Sequence, residues 1–180
     1  MSENKINLKR IKIRKISSND LKKVREFQKY INSLIEEEVM ILLNKKKSLK
    51  EEKDWLKEQL KSVKKKKQIV IVAEDKNKIV GIAEIRLRRE RQNHVGEFGI
   101  SVKKGYRGIG LGKKLMKEVL KLAKKELVPK PKIIRLSVFS ENKIAQNLYK
   151  KFGFKKVAQI PKQIQYKGKL VDEVVMIKEI

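Results

Sequence analysis

Val102-Lys103-Lys104-Gly105-Tyr106-Arg107-Gly108-Ile109-Gly110-Leu111-Gly112-Lys113-Lys114-Leu115-Met116 joins a short apolar run, His94 to Val102, to a stretch with helical apolar spacing. Glycines stand at alternate positions 108, 110 and 112. Glycine lets a backbone turn tightly and approach a ligand closely. A helix that follows presents free N–H groups and the positive end of its dipole. Strand, glycine loop and helix together make a cradle for a phosphate, and Arg107, Lys113 and Lys114 add positive charge around it. The loop is not an NTP-binding loop, because Leu111 and Gly112 follow Gly110 where Lys and Ser/Thr would be needed. Nor does it have the G-x-G-x-x-G spacing of a dinucleotide site. It reads R-x-x-G-x-G from Arg107 to Gly112. A turn without a ligand is the plain alternative.

Working outward, Gly110 to Leu127 reads as a helix with Leu111, Leu115, Met116, Val119, Leu120, Leu122 and Ala123 inward, ended by Pro129 and Pro131. Lys132 to Phe139 reads as a strand parallel to the one before the helix, so the glycine loop lies at a strand's C-terminal end, where ligands of α/β sheets sit. Upstream, Gln68–Glu74, Ile79–Leu87 and His94–Val102 read as an antiparallel meander with a turn at Asp75-Lys76-Asn77-Lys78. Downstream, Asn142 to Phe152 reads as a short helix with Ala145, Leu148 and Phe152 on one stripe. A last hairpin follows, Lys155–Gln165 and Leu170–Ile177, with Lys167-Gly168-Lys169 at its turn.

The N-terminal part is lysine-rich. Residues 5–16 alternate apolar and basic, as in a strand with one buried face. Ser17-Ser18-Asn19-Asp20 offers N-caps for a helix from Leu21 to Ile35, with a break expected near Asn32-Ser33. Glu36-Glu37-Glu38 has two readings: an attractor for a cationic amine, or a counterweight to neighbouring lysines. Residues 45–67 read as a basic amphipathic helix with a Ser48/Glu51 capping box, covering the sheet with Trp55 and Leu60. RNA or a membrane surface is the alternative partner for that helix.

Residues 141–154, Glu-Asn-Lys-Ile-Ala-Gln-Asn-Leu-Tyr-Lys-Lys-Phe-Gly-Phe, hold a second motif. Packing alone makes Tyr149 an ordinary tyrosine at the core's edge, and Asn142 either a cap or a ligand contact. However, N-x-x-A-x-x-L-Y-x-x-x-G-F, at Asn142, Ala145, Leu148, Tyr149, Gly153 and Phe154, resembles the second signature of the GNAT superfamily of acetyl-coenzyme A-dependent N-acetyltransferases. R-x-x-G-x-G resembles that superfamily's pyrophosphate loop. Both motifs stand in the superfamily's order, and so do the elements along nearly the whole chain.

The resemblance implies an α/β (α+β) fold: a single GNAT domain over 1–180 with a mixed, mostly antiparallel central sheet in the order β-α-α-β-β-β-α-β-α-β-β. It implies acetyl-CoA as cosubstrate, no metal, and direct attack by a primary amine of a protein N-terminus, a lysine or a small molecule. Cofactor contacts fall on Ile100, Ser101 and Val102, with the backbones of Ile100 and Val102 pairing with pantetheine. They continue on the N–H groups of Arg107, Gly108, Ile109, Gly110, Leu111, Gly112 and Lys113, and on Asn142 and Tyr149. A strand N–H near Ile100 would polarise the acetyl carbonyl, and Tyr149 matches the general acid. Glu97 is the expected base, with His94 or a water relay as the other options. Strand alternation puts Glu97 with Ser101 and His94 with Ile100, unless a bulge at Gly96 or Gly99 resets the parity. Specificity is expected in the variable segment around residues 30–66, and no residue there names the acceptor. A CoA-binding or nucleic-acid-binding regulator without turnover is the reading from another class.

Composition bounds the rest. The 180 residues are 40% hydrophobic, enough for one real core. Lys plus Arg is 48 against 21 Asp plus Glu, a net +27, which attracts polyanions. We read it as surface adaptation in a thermophile or in an unusual proteome, with nonspecific nucleic-acid contact as the second meaning. The chain has no cysteine and one histidine, which excludes disulfides, thiolate metal sites and a cysteine nucleophile. No signal-peptide core and no membrane-spanning apolar run is seen, so the expected location is cytoplasmic. The C-terminal strand is a candidate for pairing in a homodimer.

Overall fold

The computed structural model describes residues 7–180. One seven-stranded sheet carries the chain: β1 (Lys12–Lys15), β2 (Gln68–Asp75), β3 (Lys78–Leu87), β4 (Val95–Val102), β5 (Ile133–Phe139), β6 (Lys155–Tyr166) and β7 (Lys169–Glu179). Four helices join them: α1 (Val24–Glu36), α2 (Leu49–Lys64), α3 (Leu111–Glu126) and α4 (Lys143–Lys151). The spatial order is β1-β2-β3-β4-β5-β7-β6, with every pair antiparallel except β4 and β5. Both the element order and the mixed sheet agree with the sequence reading.

The parallel pair positions the site. β4 and β5 pair only at Val95–Ile133, Gly96–Ile134 and Glu97–Arg135. Beyond that point β5 keeps pairing with β7 as far as Phe139, and β4 keeps pairing with β3 as far as Val102. Phe98 to Val102 therefore has a strand on one edge only. The other edge offers backbone groups to a ligand.

Alternation divides the sheet into two faces. On one, Ile71, Ile85, Phe98, Ile134 and Leu136 pack against Leu115, Met116 and Val119 of α3 and Tyr149 of α4. On the other, Val70 and Val72 pack against Phe27, Tyr30 and Leu34 of α1 and Leu56 of α2. Each fully buried side chain of this size contributes about 1.5–3 kcal/mol.

Three expectations are corrected. Of the strand expected over 5–16, the described part is strand only at Lys12–Lys15: Leu8–Arg10 form a 3₁₀ turn, because the Asn7 side chain accepts from Lys9 N–H at 2.9 Å and draws the backbone off the ladder. Residues 5 and 6 of that expected strand lie outside the described residues. The first helix is preceded by a 3₁₀ stretch, Ser18–Lys23, and does not break at Asn32-Ser33. Asn32 instead grips the backbone of Lys47, its amide nitrogen donating at 3.0 Å and its oxygen accepting at 2.7 Å. The capping box of Ser48 and Glu51 forms as expected, but the inward stripe of α2 is Glu52, Leu56 and Gln59, with Trp55 and Leu60 only partly buried beside it.

Glu52 gives a pH prediction. Burial pushes its carboxyl up to about 7, with the Lys47 charge opposing. A carboxyl raised on folding contributes most below its unfolded value, and that contribution is lost as pH rises through the folded value. Glu52→Gln is expected to match the parent near pH 4.5 and to exceed it by about 1–2 kcal/mol at pH 8, after discounting for residual solvent. Urea unfolding at the two pH values measures this.

No helix among the described residues is long and apolar enough to cross a membrane, and no group of three or more His, Asp or Glu is placed to hold a metal.

Candidate active site

Gly105, Gly108 and Gly110 hold φ of +84°, +78° and +89°, left-handed conformations that side chains resist. A Cβ at Gly108 would meet nothing within 4 Å, so that backbone is open to a ligand. The start of α3 is bare. Gly110 supplies no side-chain cap, and its first turn holds no acidic residue. The contrast lies within the same molecule: Ser48 and Glu51 close the start of α2, and the Asn142 oxygen accepts from Ala145 N–H at 3.1 Å at the start of α4. An uncapped sixteen-residue helix with exposed Lys113 and Lys114 at its start suits a pyrophosphate.

Arg107 does not add free charge there, contrary to expectation. Its guanidinium turns back, donating to the Val102 carbonyl at 2.7 Å and to Glu37 at 2.5 and 2.9 Å. It locks the loop to the end of β4 and to the end of α1. The acidic run is the counterweight and not an amine attractor: Glu36 pairs with Lys46, Glu37 with Arg107 and Glu38 with Lys167. Tyr166, beside Lys167, also donates to the Glu38 carbonyl at 2.7 Å, tying the β6–β7 turn to this corner.

β4 keeps regular register with β3 from Gly96 to Val102, so no bulge resets its parity. Phe98, Ile100 and Val102 lie against the core of α3 and α4. Glu97, Gly99 and Ser101 face α1 and α2, where the Ser101 hydroxyl meets Tyr30 OH at 2.8 Å. Glu97 is held by Arg88 Nε at 2.5 Å and Arg135 Nη1 at 3.1 Å. His94 lies just before β4, where its carbonyl accepts from Lys132 N–H at 2.8 Å. That is the closed end of the β4–β5 pair, away from the unpaired edge.

Tyr149 sits on the opposite side of β4 from Glu97. It is 7% exposed, with its ring edge-on to Phe98 at 5.9 Å. The hydroxyl makes no hydrogen bond among the described residues and is not sealed from solvent. Burial alone pushes it up to about 12, so it stays a protonated donor. Gln146 anchors α4 to the end of β5 through the carbonyls of Phe139 and Ser140, at 3.1 and 3.0 Å.

The sequence reading missed a cleft of about 350 Å³ on the α1–α2 side, lined by Trp55, Glu58, Gln59, Glu84, Arg86, Glu97, Phe98 and Gly99. It meets β4 at Phe98 and Gly99, where β4 has just parted from β5. Its sequence signal was Glu84, a carboxylate inside the apolar run Ile79–Leu87. A larger hollow of about 840 Å³ lies at the β2–β3 turn and is lined by no residue of β4, the glycine loop or α4.

The split parallel pair, the uncapped glycine-loop helix and the tyrosine-bearing helix thus meet at one place on the sheet. The chain belongs to the acetyltransferase (GNAT) family, whose model matches residues 34–154. It is 32% identical over 91 residues to the L-amino acid N-acetyltransferase AaaT of Escherichia coli (strain K12), a match covering 51% of this chain and 55% of that protein. The aligned part is thus little more than half the length of that curated relative. A GNAT-family acetyltransferase from Streptococcus pneumoniae superposes with a TM-score of 0.82 at 27% identity, covering 94% of this chain and 99% of that one. The fold also matches yncA from Salmonella typhimurium, solved with its cofactor acetyl-CoA, with a TM-score of 0.78 at 19% identity over 94% of each chain.

Proposed function

We propose that this chain transfers the acetyl group of acetyl-CoA to a primary amine by direct attack in a ternary complex. The observation that carries this is the placement of the unpaired β4 edge. The bare α3 N-terminus lies at one end of it, Tyr149 on one face and an acidic cleft on the other. The pyrophosphate would rest on N–H groups from Arg107 to Lys113 and the pantetheine along Ile100, Ser101 and Val102. Asn142, whose oxygen is the α4 cap, keeps its amide nitrogen for the ligand.

The two proton problems have different sizes. An alkyl ammonium has a pKa of about 10.4, so roughly one amine in a few thousand is neutral at pH 7, and a positioned proton acceptor is needed. Glu97 and the other cleft carboxylates stand on the side where it must act. For the leaving group, a tyrosine at about 12 giving its proton fully to a thiolate of pKa about 8.5 would be uphill by about 5 kcal/mol. Tyr149 therefore works as a hydrogen-bond donor to the developing thiolate.

The test is release of CoA thiol from acetyl-CoA with a panel of amino acids, diamines and N-terminal peptides. Tyr149→Phe is expected to lower kcat about 10- to 100-fold, with the acetyl-CoA Kd within about twofold of the parent. Full turnover in this variant would remove Tyr149 from the chemistry. Tight binding without turnover on any amine would favour a regulator that only senses the cofactor.

On this reading the protein works in the cytoplasm, where acetyl-CoA is at hand. Its lysine coat is a thermophile's surface, with nonspecific nucleic-acid contact as a low-salt consequence. The C-terminal strand expected to pair two copies is β7, which lies between β5 and β6 and is paired on both sides, so two copies would instead meet through β6, one of the two edge strands. Pro161 and the irregular stretch between Ile160 and Ile164 interrupt that edge and work against strand pairing there.

A further inference from the structure

We propose that Glu84, on β3, is the carboxylate that holds the acceptor's ammonium in the cleft and takes its proton. The inference rests on the acetyl-transfer reading above and names a catalytic group within it.

Cations outnumber carboxylates by 48 to 21 in this chain. Even so, Glu84 has no cation within 4 Å among the described residues, whereas the other two carboxylates of the cleft do. Glu58 lies 3.6 Å from Arg86 Nη1, and Glu97 is shared by Arg88 and Arg135. Glu84 is left out by construction. Arg86, its neighbour on the same face of β3, donates instead to two glutamine oxygens: Nε to Gln68 at 3.0 Å and Nη2 to Gln59 at 2.8 Å. Those bonds fix which way the Gln68 amide points. Its nitrogen must then donate to Gln59 and to Glu84 Oε2, both at 2.7 Å. One carboxylate oxygen is thus anchored, and Oε1 has no donor among the described residues.

Oε1 faces the strand at its glycine. Glu84 pairs in register with Gly99, and a Cβ built there would come within 3.6 Å of Oε1. The missing side chain leaves open the space between the carboxylate and β4, just past the point where β4 leaves β5. Partly buried, the Glu84 carboxyl is raised above the ordinary carboxylate range, chiefly by desolvation, with Arg86 and the Gln68 hydrogen bond opposing. That makes it a better proton acceptor than an exposed carboxylate. Trp55 on the cleft wall offers an aromatic ring to the same cation. Tyr149 lies on the other side of β4, so proton removal and thiolate stabilisation are separated across the strand.

The step balances. The ammonium gives one proton to Glu84, the freed nitrogen pair forms the C–N bond, and the C–S bond breaks with its electrons on sulphur. A second nitrogen proton ends on the thiol, the third stays on the amide, and Glu84 returns its proton to water.

The test is the pH dependence of kcat/KM for the parent and Glu84→Gln. Lysine, 1,5-diaminopentane and an N-terminal alanine peptide serve as probes, and the one turned over fastest by the parent is used. The parent is expected to be flat from neutral pH upward until the amine's own pKa. Glu84→Gln should lose about 100-fold or more at pH 7 with a lysine-type amine, rise tenfold per pH unit up to the pKa of the probe's amine, about 10.4 for lysine and about 8 for a peptide N-terminus, and come within about threefold of the parent above it, where the amine is mostly neutral. A purely structural role would not change that slope. Glu84→Gln with parental rate and slope, or the same signature in Glu97→Gln instead, overturns the proposal.

A parent that fails to bind acetyl-CoA would overturn the acetyl-transfer reading itself, which is a separate result. Gln keeps the shape of Glu and can accept from Gln68, and retained acetyl-CoA binding and an unchanged melting temperature confirm the fold. Should it not fold, Glu84→Asp carries the test. At least a tenfold loss with the flat profile kept supports the proposal, and parental kcat/KM overturns it.

Discussion

Gly110→Glu is expected to weaken acetyl-CoA binding at least about 100-fold, which is about 2.7 kcal/mol, while the protein stays folded. Two effects add. Gly110 holds φ of +89°, so any side chain there strains the backbone by about 1–2 kcal/mol. The new carboxylate would also stand at the N-cap of α3, where it can accept the N–H groups that the pyrophosphate needs and repel the anion itself. Space is not the obstacle, because a Cβ at this position lies 3.6 Å from Leu8 Cδ2, an ordinary contact. Gly110→Ala separates the two effects. It carries the strain without the charge and is expected to lose no more than about tenfold. Calorimetry in moderate salt is the measurement, since a chain of +27 binds polyanions loosely at low ionic strength. Parental affinity in Gly110→Glu would mean that the anion does not sit at the glycine loop.

What the sequence made legible was what neighbouring residues settle among themselves. The glycines at 108 and 110, the Ser48–Glu51 box, the Asn142 cap and the turn with positive φ at Lys76 and Asn77 are local devices whose backbone need is written into residue type. The inward stripe of α3 follows in the same way from spacing. Glu84 and Glu97 are different. Glu97 acquires Arg135 from a strand beyond α3, and Glu84 acquires its one anchored oxygen from Gln68, which Gln59 and Arg86 orient from α2 and β3. Nothing near either residue in the chain states those contacts. The same holds for Arg107. Its place in the motif told of positive charge, but Glu37, at the end of α1, cancels it. Asn7 shows the reverse case, a local side-chain bond that overrode an apolar alternation which looked like a strand.

Arg14→Met is expected to cost about 3–5 kcal/mol of stability, or on the order of 10 °C in Tm for a domain of this size, without changing the acetyl-CoA Kd. Arg14 on β1 is the centre of an ion-pair cluster at the sheet's outer edge. It donates to both oxygens of Asp20, at 2.7 and 2.9 Å, and to Glu74 at 2.9 Å. Asp20 is buried at 1% exposure and Glu74 is nearly so. Without the guanidinium, Asp20 keeps the Ser17 N–H at 2.8 Å and Glu74 keeps Lys23 at 2.6 Å, and neither replaces a bidentate cation.

The pH dependence gives a second readout. Arg14 first, then Lys23, hold the Glu74 carboxyl down at about 2. A carboxyl lowered on folding contributes stability that is present above its unfolded value, near 4.5, and is lost as pH falls towards 2. Parent and variant should therefore differ most at neutral pH and converge in acid. Asp20→Asn combined with Arg14→Met is expected to recover part of the loss, because it removes the buried charge that the single change leaves unpaired. Urea unfolding at pH 7 and pH 3 decides the matter. A loss below about 1 kcal/mol at pH 7 would mean that solvent screens the cluster as it screens surface pairs. The β1 edge would then be held by Ile11 and Ile16, which are buried on the sheet's two faces, and not by its charges.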